Sequence, residues 1–312
     1  MDVSIVVPLF NERDNLSPLH EELSHVLGGL GGGYEVVFVD DGSNDGSAEV
    51  LRAIKQADAH VRVIRLARNS GQTAALACGL HNATGEVVVA IDGDGENDPA
   101  DIPRLLGKLG EGYDLVSGWR TARWSGARLS RRLPSVIANR LISWITGVRL
   151  HDYGCTLKAY RRDLAHNLML YGEMHRFVPA IAAELGARIA EVEVNFRPRR
   201  AGSSKYGPGR VVRTFLDLLT VKFLSGYSTR PIQIFGAIGL ALGIIGALWT
   251  GILVFEKIAL GRSLHDRPAL LLAILLLVVG VQFVSLGLLG EMLTRIYHES
   301  QDKPIYVIKE QF

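Results

Sequence analysis

The sequence is poor in cysteine and has no excess of either charge. Among its 312 residues there are only two cysteines, Cys78 and Cys155, which is too few for a disulfide framework or for a zinc site of paired cysteines. The 34 basic and 32 acidic residues give a formal net charge of +2, and this balance provides no argument for a nucleic-acid partner. We therefore expect neither a disulfide-stapled domain nor a nucleic-acid-binding protein.

Two common phosphate-binding signatures are also absent. No Gly-x-Gly-x-x-Gly motif follows the first predicted strand, and no glycine-rich loop ends in Gly-Lys-Ser or Gly-Lys-Thr. The sequence therefore supports neither a Rossmann-type dinucleotide site nor a P-loop. A signal peptide is not indicated either, because the β-branched run at 3–7 has no basic region before it. We expect that run to be a strand.

Strand-like and helix-like segments alternate through the first 117 residues. Such alternation is typical of an α/β fold in which a parallel sheet carries helices on both faces. Runs of β-branched residues indicate the strands, and apolar residues at helical spacing indicate the helices. We predict strands at 3–9, 35–39, 61–66, 86–91 and 114–117, and helices at 16–27, 48–57, 73–82 and 102–109.

The most informative feature that is present is a pair of carboxylates, Asp92 and Asp94, directly after the strand at 86–91. Open α/β sheets bind ligands in the crevice at the carboxyl ends of their strands. Two carboxylates this close repel each other, and a divalent cation bridging to an anionic ligand relieves that repulsion. Mg²⁺ and Mn²⁺ take such oxygen ligands and complete their shells with phosphate oxygens and water. The pair therefore predicts a metal site for a diphosphate, although an acidic turn gives the same pattern.

Polar clusters follow each of the first four strands. Because parallel strands end at the same edge of a sheet, we expect these clusters to form one site. Asp40, Asp41 and Glu12 offer carboxylates that can accept hydrogen bonds from base N–H and ribose hydroxyl groups. Ser43 and Asn44 precede a helix, and we expect one of them to cap it. The four clusters are residues 8–12, 40–43, 68–71 and 92–94.

The last third of the chain contains two long stretches without charge, 232–255 and 268–290. Each exceeds the roughly 20 apolar residues that cross a hydrocarbon core, and a short polar segment joins them. We expect a hairpin of two transmembrane helices. The mild excess of basic residues outside the hairpin places both of its ends on the cytoplasmic side. Gly239 and Gly243 give the first span a small-residue face, which indicates helix contacts within the hairpin or in a homo-oligomer.

Five arginines and two tryptophans lie between 119 and 132, just before a segment with helical apolar spacing at 133–148. A basic cluster leading into an amphipathic helix indicates a membrane-surface element, while an ordinary core helix after a solvated loop has the same spacing. A second such face, at 211–223, leads into the first span. Guanidinium groups bind phosphate in a bidentate manner, so these arginines are candidates to meet the phosphate of a lipid acceptor.

Six motifs occur in a characteristic order. They are Val-Val-Pro-Leu-Phe-Asn-Glu at 6–12, Val-Asp-Asp-Gly-Ser-Asn-Asp-Gly-Ser at 39–47, Asp-Gly-Asp at 92–94, Asp-Tyr-Gly-Cys at 152–155, Lys-Ala-Tyr-Arg-Arg at 158–162 and Arg-x-x-Gly-x-Ser-Lys-Tyr at 199–206. Together they resemble the polyprenyl-phosphate branch of the family 2 glycosyltransferases, which have the GT-A fold. That branch includes dolichol-phosphate mannose synthase and bacterial undecaprenyl-phosphate sugar transferases.

The resemblance implies a donor site for a UDP- or GDP-linked sugar. Its metal ligands would be Asp92 and Asp94, which would hold the diphosphate through Mg²⁺ or Mn²⁺. This sequence departs from the family at Glu96, where glutamine is usual; the carboxylate could add a metal ligand or repel the phosphate. The nucleotide-sugar-binding residues implied are Pro8, Glu12, Asp40, Asp41, Asp92 and Glu96.

The resemblance also implies an acceptor site for a polyprenyl phosphate at the membrane surface. Arg120 and the Arg131/Arg132 pair, with Ser135, would contact the phosphates of donor and acceptor. A second basic loop would close on the site. The acceptor-phosphate residues implied are Arg131, Arg132, Ser135, Arg199, Ser204 and Lys205.

The chemistry of this acceptor limits what the protein must do. A phosphate monoester has its second pKa near 6, so it is already a charged nucleophile at neutral pH. We therefore expect no indispensable proton acceptor, and we assign catalysis to Asp94, Arg120 and Arg131, which would neutralise the leaving diphosphate with the metal. Direct displacement inverts the anomeric centre. Cys155 is expected to be a packed thiol, and His175 to be structural rather than catalytic.

The predicted organisation is a cytoplasmic GT-A domain at 1–209, with the mixed, mostly parallel sheet that the resemblance implies. An interfacial helix at 210–230, two spans at 231–290 and a cytoplasmic tail at 291–312 would follow it. The acceptor loop and amphipathic helix would occupy about 120–148. The expected function is transfer of one sugar to a polyprenyl phosphate at the bacterial inner membrane. A processive polysaccharide synthase and a catalytically silent nucleotide-sugar-binding membrane protein are the alternatives.

Overall fold

The computed structural model describes residues 2–121, 139–140, 142–143, 146–170, 172–198 and 305–312, with eight single positions between 278 and 296. The chain divides into two compact units, Met1–Asp217 with Lys303–Phe312, and Leu218–Asp302. Among the described residues, no helix has both the length and the apolar character that crossing a bilayer requires. The predicted spans lie outside the described residues, apart from five positions of the second span.

The described strands form one sheet. They are β1 (Val3–Leu9), β2 (Tyr34–Asp40), β3 (Val61–Leu66), β4 (Val87–Ala90), β5 (Leu115–Arg120), β6 (Lys158–Arg161), β7 (Ile189–Val194) and β8 (Ile308–Gln311). Their order in the sheet is β7-β5-β6-β4-β1-β2-β3-β8. Pairing is parallel for β1–β2, β1–β4, β2–β3 and β5–β7, and antiparallel where β6 meets β4 and β5 and where β8 meets β3. The predicted mixed, mostly parallel sheet is thus confirmed.

Helices cover both faces of the sheet. Alternate residues of β2 point to opposite faces, so Val36 and Phe38 enter the larger core while Val37 and Val39 enter a smaller one. The helices are α1 (Arg13–Gly28), α2 (Ser47–Ala57), α3 (Gln72–Asn82), α4 (Ile102–Gly110), α5 (Arg162–Asn167) and α6 (Val178–Glu184). Apolar residues of α1, α2 and α4 belong to the larger core, and Ala75 and Cys78 of α3 belong to the smaller core.

All nine predicted elements of the first 117 residues are present. The largest differences are that α1 begins three residues before its predicted start and β5 continues three residues beyond its predicted end. Within the predicted tail at 291–312, residues Ile308–Gln311 form β8 at the edge of the sheet. Of the predicted helix at 133–148, the described positions 139, 140, 142, 143 and 146 are helical.

Candidate functional site

The four polar clusters meet at the carboxyl ends of the parallel strands. The backbone N–H of Asp41 donates to the carbonyl of Leu9 at 2.9 Å, and that of Gly93 donates to the carbonyl of Pro8 at 3.4 Å. The backbone N–H of Ser70 donates to the carboxylate of Asp41 at 2.7 Å. The prediction that the four clusters lie together is therefore confirmed.

The loops after β1 and β2 are joined through Asn11. Its backbone lies in the left-handed region at φ 57°, its N–H donates to the Ser43 hydroxyl at 2.9 Å, and its side-chain oxygen accepts from the N–H of Asn44 at 3.0 Å. The prediction that Ser43 or Asn44 caps the following helix is wrong, since Gly46 is the N-cap of α2 and no side chain caps it. Both residues instead hold the first loop against the second.

Asp41 orders the loop that precedes α3. Its two carboxylate oxygens accept from the backbone N–H groups of Ser70 and Gly71, at 2.7 and 2.9 Å. Burial raises the pKa of Asp41 despite these two hydrogen bonds. The loops are so close that a Cβ at Gly42, whose φ is +75°, would lie 2.8 Å from the carbonyl carbon of Arg68, which only glycine avoids.

Asp40 has a different position from its neighbour. Its side chain has no exposed surface; one oxygen accepts from the N–H of Ser43 at 2.8 Å, and the other lies 3.2 Å from Nε of Arg65. The structure therefore places Asp40 beneath the loops after β1 and β2, and not at their surface, where a direct contact with the nucleotide was predicted.

Pro8 lies near the end of β1, and Glu12 lies in the loop that follows this strand, as predicted. Pro8 is buried in β1, and its carbonyl receives the N–H of Gly93. Glu12 is partly exposed at the start of α1, where its Oε2 accepts from the side-chain amide of Asn15 at 2.6 Å. Both therefore border the same edge as the acidic pair.

The acidic pair itself lies against β1. A Cβ on the intervening Gly93 would be 3.1 Å from that of Leu9. Asp92 Oδ1 accepts from the Gln72 amide at 2.9 Å, and Asp94 Oδ1 accepts from the N–H of Glu96 at 3.1 Å. Burial, together with the charge of Asp94, raises the pKa of Asp92. Two crowded carboxylates suit a hard divalent cation that takes its other ligands from phosphate and water.

The side chain of Glu96 lies near Arg120. Its Oε2 lies 4.0 Å from Nη1 of Arg120. Within the part of the chain that the structure describes, no group of three carboxylate, histidine or cysteine side chains is arranged to hold a metal ion. The neighbouring carboxylates of Asp92 and Asp94 fit a cation that would take its remaining ligands from the substrate.

Arg120 ends β5 and is only 5% exposed. Its Nε and Nη2 donate to the two oxygens of Asp152, at 2.8 and 3.2 Å. Burial opposes the charge on this guanidinium, but the charge of Asp152 outweighs it and raises the pKa of Arg120. Nearby, the amine of Lys158 is buried and donates to the carbonyl of Cys155. Burial lowers the pKa of Lys158, and neighbouring charges only partly offset that effect.

Sequence analysis did not predict the contacts of Gln72, Thr73 and Asp152. Gln72 and Thr73 begin α3; Gln72 bonds to Asp92, and the Thr73 hydroxyl lies 2.8 Å from Nδ1 of His175. Asp152 belongs to the Asp-Tyr-Gly-Cys motif at 152–155, which marked it as a residue of interest but did not indicate that it pairs with Arg120. His175 thus connects a short turn to the start of α3, in line with the expected structural role.

Cys155 is confirmed as a packed thiol. It has no exposed surface, its Sγ lies 3.7 Å from Oδ1 of Asn97, and burial raises its pKa. A buried thiol held in its neutral form is a poor nucleophile. The remaining predicted acceptor residues lie outside the described residues and stay predictions: Arg131, Arg132, Ser135, Arg199, Ser204 and Lys205.

Comparison with solved structures agrees with this architecture. Glucosyl-3-phosphoglycerate synthase from Mycobacterium tuberculosis, in a complex with Mn²⁺, uridine diphosphate and phosphoglyceric acid, superposes with a TM-score of 0.55 at 23% identity, covering 71% of this chain and 78% of that one. At this identity the likeness concerns the fold, which is the GT-A fold.

Relatives of similar length match the whole chain. A dodecaprenyl-phosphate galacturonate synthase of Rhizobium johnstonii is 40% identical, over 100% of this chain and 93% of its own. An undecaprenyl-phosphate 4-deoxy-4-formamido-L-arabinose transferase of Pseudomonas syringae is 36% identical, over 99% and 90%. Residues 4–169 match the model of "Glycosyl transferase family 2". With the strand-end acidic pair and the sheet described above, these matches show that the chain belongs to glycosyl transferase family 2.

Proposed function

We propose that this protein transfers one sugar from a nucleotide-linked donor to the phosphate of a membrane polyprenyl phosphate. The observation that carries the proposal is the likeness over the full chain to relatives, 34–40% identical, whose names state a dodecaprenyl-phosphate or undecaprenyl-phosphate product or acceptor. The acidic pair at the strand ends supports it, because it offers oxygen ligands where a sugar diphosphate would bind.

The donor would bind across the ends of β1, β2 and β4. Pro8, Glu12 and Asp41 would border the nucleoside, while Asp92 and Asp94 would hold the diphosphate through Mg²⁺ or Mn²⁺. Uridine is the first candidate base, since the M. tuberculosis neighbour of the same fold was crystallised with uridine diphosphate and Mn²⁺. A guanosine donor is the second candidate.

The reaction would need charge neutralisation more than proton transfer. The acceptor phosphate is already anionic at neutral pH, so no side chain has to activate it. A bound Mg²⁺ or Mn²⁺ would supply Lewis-acid stabilisation of the departing nucleoside diphosphate. Asp152 holds Arg120 in one orientation, so this guanidinium contributes a fixed positive charge beside the acidic pair. Arg131 and Arg132 would align the acceptor phosphate for direct displacement, which inverts the anomeric carbon.

The same proposal places the protein in the bacterial inner membrane. Two spans at 231–290 would anchor it, with the sugar-transfer domain and the C-terminal residues on the cytoplasmic side. Basic residues outside the uncharged stretches and the lipid acceptors named for the relatives support this arrangement. Contacts along the glycines of the first span would join protomers in a homo-oligomer.

The test is a lipid-transfer assay on membranes that contain the full chain. Labelled UDP-galacturonate, UDP-4-deoxy-4-formamido-L-arabinose and a GDP-linked hexose are offered with Mn²⁺ or Mg²⁺ and undecaprenyl phosphate. We expect label in the organic phase with one donor, and a loss of roughly 10²–10³-fold for Asp94→Asn and for Arg131→Ala. Asp163→Asn and Arg149→Ala, at exposed positions, are the matched controls.

The alternatives give different results in this assay. Insoluble polymer in place of an extractable lipid would indicate a processive polysaccharide synthase. Nucleotide binding without any product would indicate a catalytically silent protein. Wild-type rates in both Asp94→Asn and Arg131→Ala would refute the assignment of catalysis to these residues.

A further inference from the structure

The last residues of the chain extend the sheet beside the loops after β1 and β2. These loops, residues 8–12 and 40–43, border the nucleoside in the proposed function and are called the nucleotide-binding loops below. β8 pairs antiparallel with β3, and Phe312 exchanges backbone hydrogen bonds with Val63 at 2.8 and 3.0 Å. The N–H of Ala67, just beyond β3, donates to the carbonyl of Val307 at 2.8 Å. The edge of the sheet next to the site is therefore formed by residues that lie about 240 positions further along the chain than their partners.

Side chains anchor this strand on both faces of the sheet. Tyr306 packs against the smaller core on the α3 side, and Phe312 packs against the larger core. The guanidinium carbon of Arg52 lies 5.4 Å from the centre of the Phe312 ring, within the range of a cation–π contact. The C-terminal strand is consequently a packed part of the first unit.

Glu310 is the polar residue of β8 that faces the domain. Its Oε1 lies 2.9 Å from Nη2 of Arg52 and 3.2 Å from Nη1 of Arg65. Arg65 uses its other two nitrogens inside the site, with Nε 3.2 Å from Oδ2 of Asp40 and Nη2 donating to the carbonyl of Ser43 at 3.2 Å. Nη1 and Nη2 of Arg65 thus donate hydrogen bonds, whereas Nε makes an ion pair with Asp40 without a hydrogen bond.

The contacts continue from Arg65 to the first loop of the site. Asp40 accepts from the N–H of Ser43 at 2.8 Å, and the Ser43 hydroxyl accepts from the N–H of Asn11 at 2.9 Å. Asn11 directly precedes Glu12, and Asp41 directly follows Asp40. Hydrogen bonds therefore connect β8 with both loops that border the nucleoside.

We propose that Arg65 is a positioning residue for the nucleotide-binding loops and that Glu310, from the C-terminal strand, holds Arg65 in place. This inference rests on the proposed function, in which Glu12 and Asp41 border the nucleoside. Asp40 is fully buried, so the Arg65–Asp40 contact acts on the shape and charge of the loops and not on the ligand directly. Neutralising Glu310 leaves Nη1 of Arg65 without its carboxylate and lets the guanidinium turn away from Asp40 and Ser43.

The experiment compares Glu310→Gln with Lys309→Gln in the purified full-length protein. Lys309 is the exposed neighbour on the same strand. Calorimetric binding of UDP with Mn²⁺ and steady-state kinetics with the labelled donor and undecaprenyl phosphate are measured for each. For Glu310→Gln we expect UDP affinity to fall and the donor KM to rise by roughly three- to tenfold, with kcat and the lipid KM changed by less than about twofold. Lys309→Gln should match the wild type.

Two further variants separate positioning from simple loss of the strand. Arg52→Gln removes the other partner of Glu310 but leaves Arg65 and Asp40 paired, so the donor KM should stay near the wild-type value. Arg65→Lys cannot reach three partners at once and should raise the donor KM as Glu310→Gln does. Adding Glu310→Gln to Arg65→Lys should then change little, because both act on one contact.

Three results would overturn the inference. They are a Glu310→Gln protein that behaves like Lys309→Gln, an Arg52→Gln protein with the same rise in donor KM, and a fall in kcat without a change in donor KM. A wild-type protein that binds neither UDP nor GDP would overturn the proposed function itself, and this outcome is distinct from the other three.

Discussion

The ion pair between Arg120 and Asp152 provides the sharpest test of the site. The substitution Asp152→Asn keeps the shape of the side chain and removes its charge. Oδ1 of Asp152 accepts from Nη2 of Arg120 and from the N–H of Gly154, while Oδ2 accepts from Nε of Arg120. An asparagine whose amide oxygen takes the place of Oδ1 keeps the first two hydrogen bonds and loses the shorter bond to Arg120, at 2.8 Å. Arg120 would then keep its charge in a buried position without its closest carboxylate.

The size of the effect follows from burial. Removing one partner of a buried pair costs about 3–5 kcal/mol, because the other charge stays uncompensated. Arg120 is 5% exposed, which places it in this class. Glu96 remains 4.0 Å away, so we expect the lower end of the range, about 3 kcal/mol. For a domain of this size that corresponds to a Tm lower by roughly 5–10 °C.

Activity should fall as well, because the released guanidinium would be attracted to the carboxylates that we assign to the metal. We expect the lipid-transfer rate to fall at least tenfold, with part of the loss restored at higher Mn²⁺ concentration. The assays are a thermal unfolding scan of the detergent-purified protein and the lipid-transfer rate as a function of Mn²⁺.

The control for this substitution is Asp163→Asn, the same chemical change at an exposed position of α5. Its Tm should lie within about 2 °C of the wild type, since exposed substitutions change stability by less than about 0.5 kcal/mol. If Asp152→Asn unfolds at the same temperature as Asp163→Asn and keeps its activity, Arg120 is not held by Asp152 in the way the structure describes.

Two further predictions concern pH and the buried thiol. Burial opposes the charge on Asp58, but hydrogen bonds from His60 and His20 outweigh it and lower the pKa of Asp58 from 3.8 to about 2. Its charge therefore stabilises the fold above about pH 4 and ceases to do so as the pH falls through 2; Asp58→Asn should cost on the order of 1 kcal/mol at pH 7, and its Tm difference from wild type should vanish towards pH 2. Cys155→Ala should transfer sugar to lipid at a rate within about twofold of wild type while losing on the order of 1 kcal/mol of stability in denaturant titrations, and a complete loss of activity in a folded protein would contradict its role as a packed thiol.

The elements that carry the site follow from local patterns. A β-branched run such as 86–91 predicts a buried strand of a parallel sheet. The carboxyl end of such a strand lies at the edge of the sheet where ligands bind. For this reason the loop containing Asp92 and Asp94 and the loop containing Asp41 could be predicted to meet. Their meeting depends only on strand direction, which a βαβ alternation determines.

The partners within the site could not be predicted in the same way. Arg120 and Asp152 are 32 positions apart, and Arg65 and Glu310 are 245 positions apart. No periodic pattern connects residues at such separations, since hydrogen-bonding partners are selected when the strands pack. The order β6 between β4 and β5 brings Asp152 to Arg120, and the pairing of β8 with β3 brings Glu310 to Arg65.

Residue type and short-range spacing were enough to predict the α/β class, the acidic pair, the family resemblance and the polar strand ends. Which acidic side chains lie at the surface of the site became visible only in the packed chain. Asp40 and Asp41 are adjacent in sequence, yet Asp40 is buried beneath the loops against Arg65, while Asp41 orders the loop before α3. Burial and charge pairing are properties of the packed chain, so identical side chains one position apart acquire different roles.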